Sequence, residues 1–183
     1  LKKSEKVIFQ NPDNRQVFID LGIVPESKTC VVNGSGVDVS HFDVKPLSDQ
    51  PIFLLIARLL GDKGIREYIK AAGRVKEKYP EAVFQLVGPE DPSPDGITLA
   101  ELSRLNAKQS VDYLGATKDV RPFIEASSIF VLPSYHEGLP RTVLEAMATG
   151  RPILTTDVPG CRETVVNNKN GWLIEKVNAE QLA

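Results

Sequence analysis

Residues 129–150 read IFVLPSYHEGLPRTVLEAMATG, an apolar run followed by a turn and then by a helix-like pattern. The apolar residues at the start are typical of a buried strand. Pro140 suits the first position of a helix, where the N–H group that proline lacks has no intrahelical partner to lose. An apolar stripe follows at helical spacing, and Gly150 ends it. The stretch therefore predicts a strand, a loop and a helix, the unit from which open α/β sheets are built.

Two glutamates, Glu137 and Glu145, lie in the loop and the helix of this stretch. Their spacing alone is a weak signal, since Glu145 could equally belong to a solvated helix face. Their setting is more informative, because ligands of open α/β sheets bind at the carboxyl ends of the strands. The free N–H groups and the dipole at a helix start also attract phosphate. The stretch therefore predicts a site for a phosphate-bearing, hydroxyl-rich ligand.

Short apolar runs and helix-like segments alternate along the rest of the chain. Strands are predicted at 7–10, 29–32, 52–57, 82–87, 111–114, 129–132, 152–156 and 172–174. Helices are predicted at 14–21, 64–78, 99–108, 120–126, 141–149, 162–166 and 179–182. The run at 52–57 is almost entirely apolar, as expected for a parallel strand covered on both faces. The alternation predicts an α/β domain with a Rossmann-like, doubly wound parallel sheet.

The length of 183 residues fits one domain with a fragment of another. We expect residues 1–11 to be a linker or the trailing piece of a preceding domain, and residues 12–183 to form one domain. The chain starts without Met and ends inside a predicted helix, so we expect it to be a piece of a longer protein. The net charge of −2 argues against nucleic-acid binding. No apolar stretch approaches the roughly 20 residues of a membrane-spanning helix.

The chain has only two cysteines, Cys30 and Cys161, which lie far apart in the sequence. This usage is typical of a reducing compartment and gives no disulfide framework. His41 and His136 stand alone, so no Cys/His cluster has the spacing of zinc ligands. We therefore expect no protein-bound metal, and we expect His136 to be a loop side chain rather than a general base.

Two cations, Arg58 and Lys63, follow the predicted strand at 52–57. The fork of donors on arginine and the compact charge of lysine could clamp a diphosphate. Alternatively, both are ordinary surface cations near a helix start. A cation at that end opposes the helix dipole by roughly a few tenths of a kcal/mol. A bound anion would remove this conflict, which favours the diphosphate.

Several glycines also follow predicted strands. The loop at 33–38 carries Gly34 and Gly36, but Val39 stands where the dinucleotide-binding fingerprint needs its third glycine, and no helix-like segment follows. The backbone of this loop could still approach a ligand closely. Gly115 follows another strand, and its loop either holds a planar base through backbone groups or simply ends the strand. The chain has no P-loop motif either.

Residues 137–165, EGLPRTVLEAMATGRPILTTDVPGCRETV, resemble the C-terminal half of retaining glycosyltransferases with the GT-B architecture. Supporting matches occur in the family's order along nearly the whole chain: NGSGVDVSHF (33–42), IARLLGDKG (56–64), LVG (86–88), YLG (113–115), VLPSYHEG (131–138) and NGWL (170–173). The resemblance is strongest to bacterial transferases that add a sugar to a polyprenyl-diphosphate-linked glycan for capsule, O-antigen or protein glycosylation. The loop at 88–92 departs from that subgroup, which leaves the donor sugar open.

The resemblance implies a role for each candidate residue. Glu137 would contact the hydroxyls of the donor sugar, and Glu145 those of the nucleotide ribose. Arg58 and Lys63 would neutralise the diphosphate, so Glu137, Arg58 and Lys63 are the implied catalytic set. The loop after Gly115 would meet the uracil. The implied donor-binding positions besides Glu145 are Gly36, Gly115, Gly138, Leu139, Thr142 and Val143.

The resemblance further implies a UDP-hexose or UDP-N-acetylhexosamine donor, a polyprenyl-linked or glycan acceptor, and an N-terminal GT-B domain that this chain lacks. It implies no cofactor, no metal and no nucleic-acid partner, and we expect this chain alone to be inactive. The complete protein would work in the cytoplasm, at the periphery of the inner face of the plasma membrane. Two alternatives stay open: a nucleotide-binding module without chemistry, and a GT-B epimerase or phosphorylase of related architecture.

Overall fold

Two parallel sheets form the framework of the computed structural model, which describes residues 1 and 3–183. The strands are β1 Val7–Phe9, β2 Thr29–Val31, β3 Ile52–Ile56, β4 Val83–Val87, β5 Asp112–Tyr113, β6 Ile129–Leu132, β7 Ile153–Thr156 and β8 Gly171–Ile174. The α-helices are α1 Pro12–Asp20, α2 Ile65–Lys78, α3 Leu99–Leu105, α4 Arg121–Ala126, α5 Arg141–Ala148 and α6 Ala179–Leu182. The predicted Rossmann-like α/β class is confirmed. Within the described ranges, every helix is too short or too polar to cross a bilayer.

The larger sheet has the strand order β5-β4-β3-β6-β7-β8. The chain adds β4 and β5 on one side of β3 and then crosses to the other side with β6. β3 and β6 are therefore the neighbours between which the winding direction reverses. In open α/β sheets, the crevice at this reversal is where ligands bind.

Both faces of the larger sheet are covered, because successive side chains of a buried strand point to opposite sides. In β3, Leu55 packs with Tyr68 of α2 in one apolar cluster. Its neighbour Leu54 packs with Ile124 of α4 and Val143 of α5 in the other cluster. The two clusters explain why the predicted strand at 52–57 is apolar at almost every position.

The smaller sheet consists of β1 and β2, which are connected by α1. The structure therefore places residues 7–9 of the expected linker in a strand, while the domain boundary at residue 11 stays a prediction. The predicted start of α1 at residue 14 is two residues late. Asn11 caps the helix and Pro12 occupies its first turn. α1 buries none of its residues fully, and Val17 and Leu21 are exposed at its surface and end.

The segment that joins the two sheets is fastened by Arg151, whose side chain is buried. Its guanidinium donates to the carbonyl oxygens of Pro46 at 3.0 Å, Ser127 at 2.7 Å and Thr149 at 3.1 Å, and also to that of Lys45. A buried guanidinium needs such partners for its five N–H donors. Arg151 thus ties residues 45–46 to the larger sheet.

Two predicted helices differ from the structure. Residues 162–166 do not form an α-helix but a single 3-10 turn, Arg162–Thr164, and Val165 is already extended. The helix predicted at 99–108 ends at Leu105 because the Asn106 side chain binds both backbone groups of Val111, at 3.1 Å and 2.6 Å. In both places local hydrogen bonding competes with helix continuation.

Candidate functional site

The loops that follow β3 and β6 meet at the carboxyl edge of the sheet. Tyr135 donates its backbone N–H to the carbonyl oxygen of Asp62 at 2.8 Å, and the Ser134 hydroxyl donates to the same oxygen at 3.2 Å. Gly64 packs so closely on Pro133 that a Cβ atom would lie 2.1 Å from the Pro133 oxygen. The two loops are therefore fixed to each other at the reversal point of the sheet.

Lys63 and Glu137 form an ion pair across this junction. The Lys63 Nζ and Glu137 Oε1 atoms are 2.9 Å apart, and the side chains are only 14% and 17% exposed. Charges that are largely withdrawn from water interact more strongly than surface charges. Lys63 also lies just before α2, where its charge opposes the helix dipole. In this structure the Glu137 carboxylate supplies the anion that resolves the conflict.

The backbone of Glu137 is held by the loop that follows β7. Glu137 donates its N–H to the Pro159 carbonyl oxygen at 3.1 Å. Gly160 has φ of +86°, and a Cβ atom there would lie 2.2 Å from the backbone carbonyl oxygen of Glu137. The Glu163 carboxylate accepts from the Gly160 N–H at 2.8 Å and so fixes the turn. Burial raises the pKa of the neighbouring Cys161 thiol to about 11, so this thiol stays protonated at neutral pH.

Asn11 holds the other side of the Glu137 loop. Its side-chain amide donates to the carbonyl oxygen of Gly138 at 2.8 Å and to that of Glu137 at 3.2 Å. Nearby, His136 Nε2 lies 2.9 Å from the Asn14 side-chain oxygen, and the His136 side chain is otherwise exposed. His136 is thus a loop residue in contact with α1.

Glu145 lies one helical turn inside α5 and is only 7% exposed. Its Oε1 atom accepts from Arg141 Nε at 3.0 Å. Burial raises the pKa of the Glu145 carboxyl above its ordinary value, and the nearby Arg141 charge opposes that shift. Glu145 therefore is not a solvated helix-face residue.

The start of α5 has no side-chain cap. Val143 donates its N–H to the Pro140 carbonyl oxygen at 3.2 Å, so this amide is already used inside the protein. The backbone N–H groups of Leu139 and Thr142, in contrast, find no protein acceptor among residues 1 and 3–183. Leu139 also packs against Gly34 of the loop after β2. Of the predicted donor-binding positions Leu139, Thr142 and Val143, the first two thus have a backbone N–H available to an anion.

Arg58 has a different partner from Lys63 in the structure. Its guanidinium is bonded to Asp91 at 2.5 Å, and its side chain is 61% exposed. Gly115 accepts from the Gly88 N–H at 2.9 Å. A Cβ atom would meet nothing within 4 Å at Gly115 or at Gly36, so both loops face open space. Gly36 lines a shallow hollow together with Arg141.

Of the four predicted charged residues, the structure brings Lys63 and Glu137 into direct contact. Arg58 is paired with Asp91 and Glu145 with Arg141, and in the described part of the chain neither touches the Lys63–Glu137 pair. The roles assigned to these side chains stay predictions. Nowhere in residues 1 and 3–183 do three or more His, Cys, Asp or Glu side chains cluster as metal ligands would.

Asn11 was not predicted as a site residue, because it lies in the segment expected to be a linker. Asn11-Pro12 does carry a helix-start signal, since asparagine is a preferred cap and proline suits the first turn. That signal could have located α1. The contacts of Asn11 with the Glu137 loop could not be predicted, because they join residues 126 and 127 positions apart.

Comparison with known proteins matches residues 38–183 to the family described as "Glycosyl transferases group 1". The chain is 36% identical to N,N'-diacetylbacillosaminyl-diphospho-undecaprenol alpha-1,3-N-acetylgalactosaminyltransferase of Campylobacter jejuni, covering 100% of this chain and 50% of that protein. It is 33% identical to UDP-Gal:alpha-D-GlcNAc-diphosphoundecaprenol alpha-1,3-galactosyltransferase of Escherichia coli, covering 92% and 46%. The chain thus spans about half the length of these relatives.

Solved structures of similar fold include Anabaena Alr3699/HepE in complex with UDP-glucose, with a TM-score of 0.85 at 21% identity, covering 98% of this chain and 52% of that protein. Sucrose-phosphate synthase of Thermosynechococcus elongatus matches with a TM-score of 0.82 at 25% identity, covering 100% and 48%. These likenesses confirm the predicted fold, a Rossmann-like half of the GT-B architecture.

Proposed function

Because the chain belongs to the glycosyl transferases group 1 family, we propose that it is the donor-binding half of a retaining glycosyltransferase. The proposed donor is a UDP-hexose or a UDP-N-acetylhexosamine. The observation that carries the proposal is the Lys63–Glu137 pair, 2.9 Å apart at the reversal point of the sheet. Ligands of open α/β sheets bind at such a point.

The pair has the chemistry that a sugar diphosphate requires. When the donor binds, its diphosphate replaces Glu137 as the partner of Lys63. It also accepts hydrogen bonds from the free N–H groups of Leu139 and Thr142. Glu137 is released to accept hydrogen bonds from sugar hydroxyls. As the bond to the sugar breaks, negative charge grows on the departing diphosphate, and donors already in place stabilise it without reorganising. Arg58 joins them by exchanging Asp91 for the ligand.

Glu145 and the glycine loops complete the proposed donor site. Glu145 accepts from the ribose hydroxyls, which compensates in part for the burial of its carboxylate. The backbone at Gly36 and Gly115 faces open space, so a ligand can approach it closely. Gly138 and Val143 shape the wall between sugar and diphosphate. We propose no protein-bound cofactor or metal, since the cationic groups of the chain serve the diphosphate.

The proposed acceptor is a polyprenyl-linked glycan. The Campylobacter jejuni and Escherichia coli relatives are both named for sugars attached to an undecaprenyl-linked diphosphate. The acceptor site would lie in the part of the complete protein that corresponds to the other half of these relatives. That protein would then act in the cytoplasm at the membrane surface, and the present chain alone would bind donor without transferring sugar. Turnover by the isolated chain would contradict this division.

The test is a binding titration of the chain with UDP and with the UDP derivatives of glucose, galactose, N-acetylglucosamine and N-acetylgalactosamine. We expect one UDP-sugar to bind more tightly than UDP, and Glu137→Gln to lower that preference for the sugar about tenfold. Glu81→Gln is the matched control, since Glu81 is exposed in the turn before β4. A wild-type chain that binds UDP with no dependence on the sugar would favour a non-catalytic nucleotide-binding module.

A further inference from the structure

Asn11 uses its side chain in two directions at once. Its exposed fraction is 0%, although asparagine is ordinarily a surface residue. On one side, its Oδ1 atom accepts from the Asn14 N–H at 2.8 Å and caps α1. On the other side, its Nδ2 atom donates to the carbonyl oxygens of Glu137 and Gly138. The amide nitrogen is thus directed at two consecutive peptide carbonyl groups, those on either side of the Gly138 Cα atom.

The capping role alone does not explain this residue. A helix cap needs only an oxygen, and Asp or Ser would supply it equally well. Neither of them offers two N–H donors to a pair of carbonyl groups. The donor half of Asn11 therefore serves the Glu137 loop rather than α1.

The residues around Asn11 support the same connection. Gln10 packs on Gly138 so closely that a Cβ atom there would lie 2.2 Å from the Gln10 Oε1 atom. The Asn14 side chain contacts His136 at 2.9 Å. An Asp13 carboxylate oxygen lies 3.5 Å from the Arg162 guanidinium. Arg162 belongs to the loop after β7, which accepts the hydrogen bond from the Glu137 N–H. The start of α1 is thus attached both to the loop that contains Glu137 and to the loop after β7.

We propose that Asn11 is a positioning residue for the donor sugar. By fixing the carbonyl groups of Glu137 and Gly138, it determines where the Glu137 carboxylate stands relative to Lys63 and to the sugar hydroxyls. The inference rests on the proposed donor site. It adds that the β1–α1–β2 unit, which lies outside the part matched to the family, controls sugar binding in the larger sheet.

The decisive variant is Asn11→Asp, which keeps the shape and the capping oxygen but removes both N–H donors. Asn178→Asp is the matched control, because Asn178 also caps a helix, accepting from Glu180 at 3.1 Å and Gln181 at 3.0 Å. We expect Asn11→Asp to weaken the UDP-sugar about tenfold and UDP by less than about twofold. We expect Asn178→Asp to change neither. Asn11→Ser serves as a second variant that keeps a cap and brings no charge to the two carbonyl groups.

A second measurement does not need a ligand. Hydrogen–deuterium exchange of the amides in 133–143 should be faster in both Asn11 variants than in the wild type, and unchanged in Asn178→Asp. If a wild-type chain has a sugar-dependent affinity that both Asn11 variants retain, the inference is overturned while the proposed function stands. Unchanged exchange in the Asn11 variants overturns it as well. If the wild type binds UDP but gains nothing from any sugar, the proposed function fails first.

Discussion

Lys63 and Glu137 neutralise each other while most of both side chains is covered. Breaking such a pair from one side leaves a charge that is withdrawn from water and has no partner, which costs more than the pair itself contributes. The structure thus pairs the two groups that we propose to bind the donor, and each stabilises the other in the absence of a ligand. Neither can be removed without a consequence for the fold.

We therefore expect Lys63→Met to lower the free energy of unfolding by about 1–3 kcal/mol. The double variant Lys63→Met/Glu137→Gln should lose less than the sum of the single variants, because no unpaired charge remains. Urea denaturation of the four proteins measures this coupling. Lys108→Met is the control, since Lys108 pairs with Glu77 at 3.3 Å but is 79% exposed. Equal losses at Lys63 and Lys108 would show that the site pair is an ordinary surface pair.

Glu145 should reveal its burial in the pH dependence of stability. Because burial raises the pKa of its carboxyl in the folded state, the folded protein favours the protonated form. The protonated carboxyl therefore contributes fully to the free energy of unfolding below the ordinary carboxyl pKa. This contribution is lost as pH rises through the raised pKa of the folded state. We expect Glu145→Gln to gain stability relative to wild type as pH rises above the ordinary carboxyl pKa. Urea midpoints at each pH test this, and a flat difference, as expected for Glu81→Gln, would contradict it.

At the scale of elements, apolar patterning was sufficient for the sheet but not for every helix. The eight strands were predicted within one or two residues, since buried parallel strands are short and apolar. The helix predicted at 162–166 was wrong because Glu163 turns back to the Gly160 N–H and holds a single turn in place. Such a side-chain bond leaves no periodic trace in the sequence.

Replacing a glycine by alanine should have opposite effects on stability at the start of α2 and in its interior. Gly64 has φ of +70° and touches the Pro133 carbonyl group, so Gly64→Ala should lower the free energy of unfolding by about 2 kcal/mol or more. Gly73 lies inside α2, and a Cβ atom there would be an ordinary 3.7 Å from Ser110. Gly73→Ala should therefore raise stability by about 0.5–1 kcal/mol. Thermal or urea unfolding checks both, and a tolerated Gly64→Ala would contradict the close approach of the two loops.

At the scale of the whole molecule, the two sheets differ greatly in packing. The larger sheet lies between two apolar clusters, whereas the smaller one has two strands and a helix without a fully buried residue. Two-stranded sheets are marginally stable by themselves. The contacts around Glu137 come from parts of the chain next to both sheets, and for this reason only part of the candidate site could be predicted from the sequence. Glu137 and Lys63 lie in recognisable loops, but the contacts of Asn11 arise only when the two sheets meet.

The reactivity of the two cysteines can report the unfolding of each sheet separately. Cys30 lies in β2, and Cys161 is buried in the loop after β7. We expect Cys30 to react with a thiol reagent at a lower urea concentration than Cys161, because the smaller sheet opens first. Single-cysteine variants, Cys30→Ser and Cys161→Ser, assign the two reactions. A common midpoint for both thiols would mean that the sheets unfold as one cooperative unit.

The hydrogen bonds from Arg151 to residues 45–46 limit where the connection between the two sheets can bend. From residue 45 onward the backbone is fixed to the larger sheet by these hydrogen bonds. Any rotation of the smaller sheet relative to the larger one would therefore require bending within residues 33–44. Gly34, which adopts φ of +71° there, rests directly on Leu139. Any bending of this segment would therefore occur beside the crevice, and it would change the width of the crevice opening.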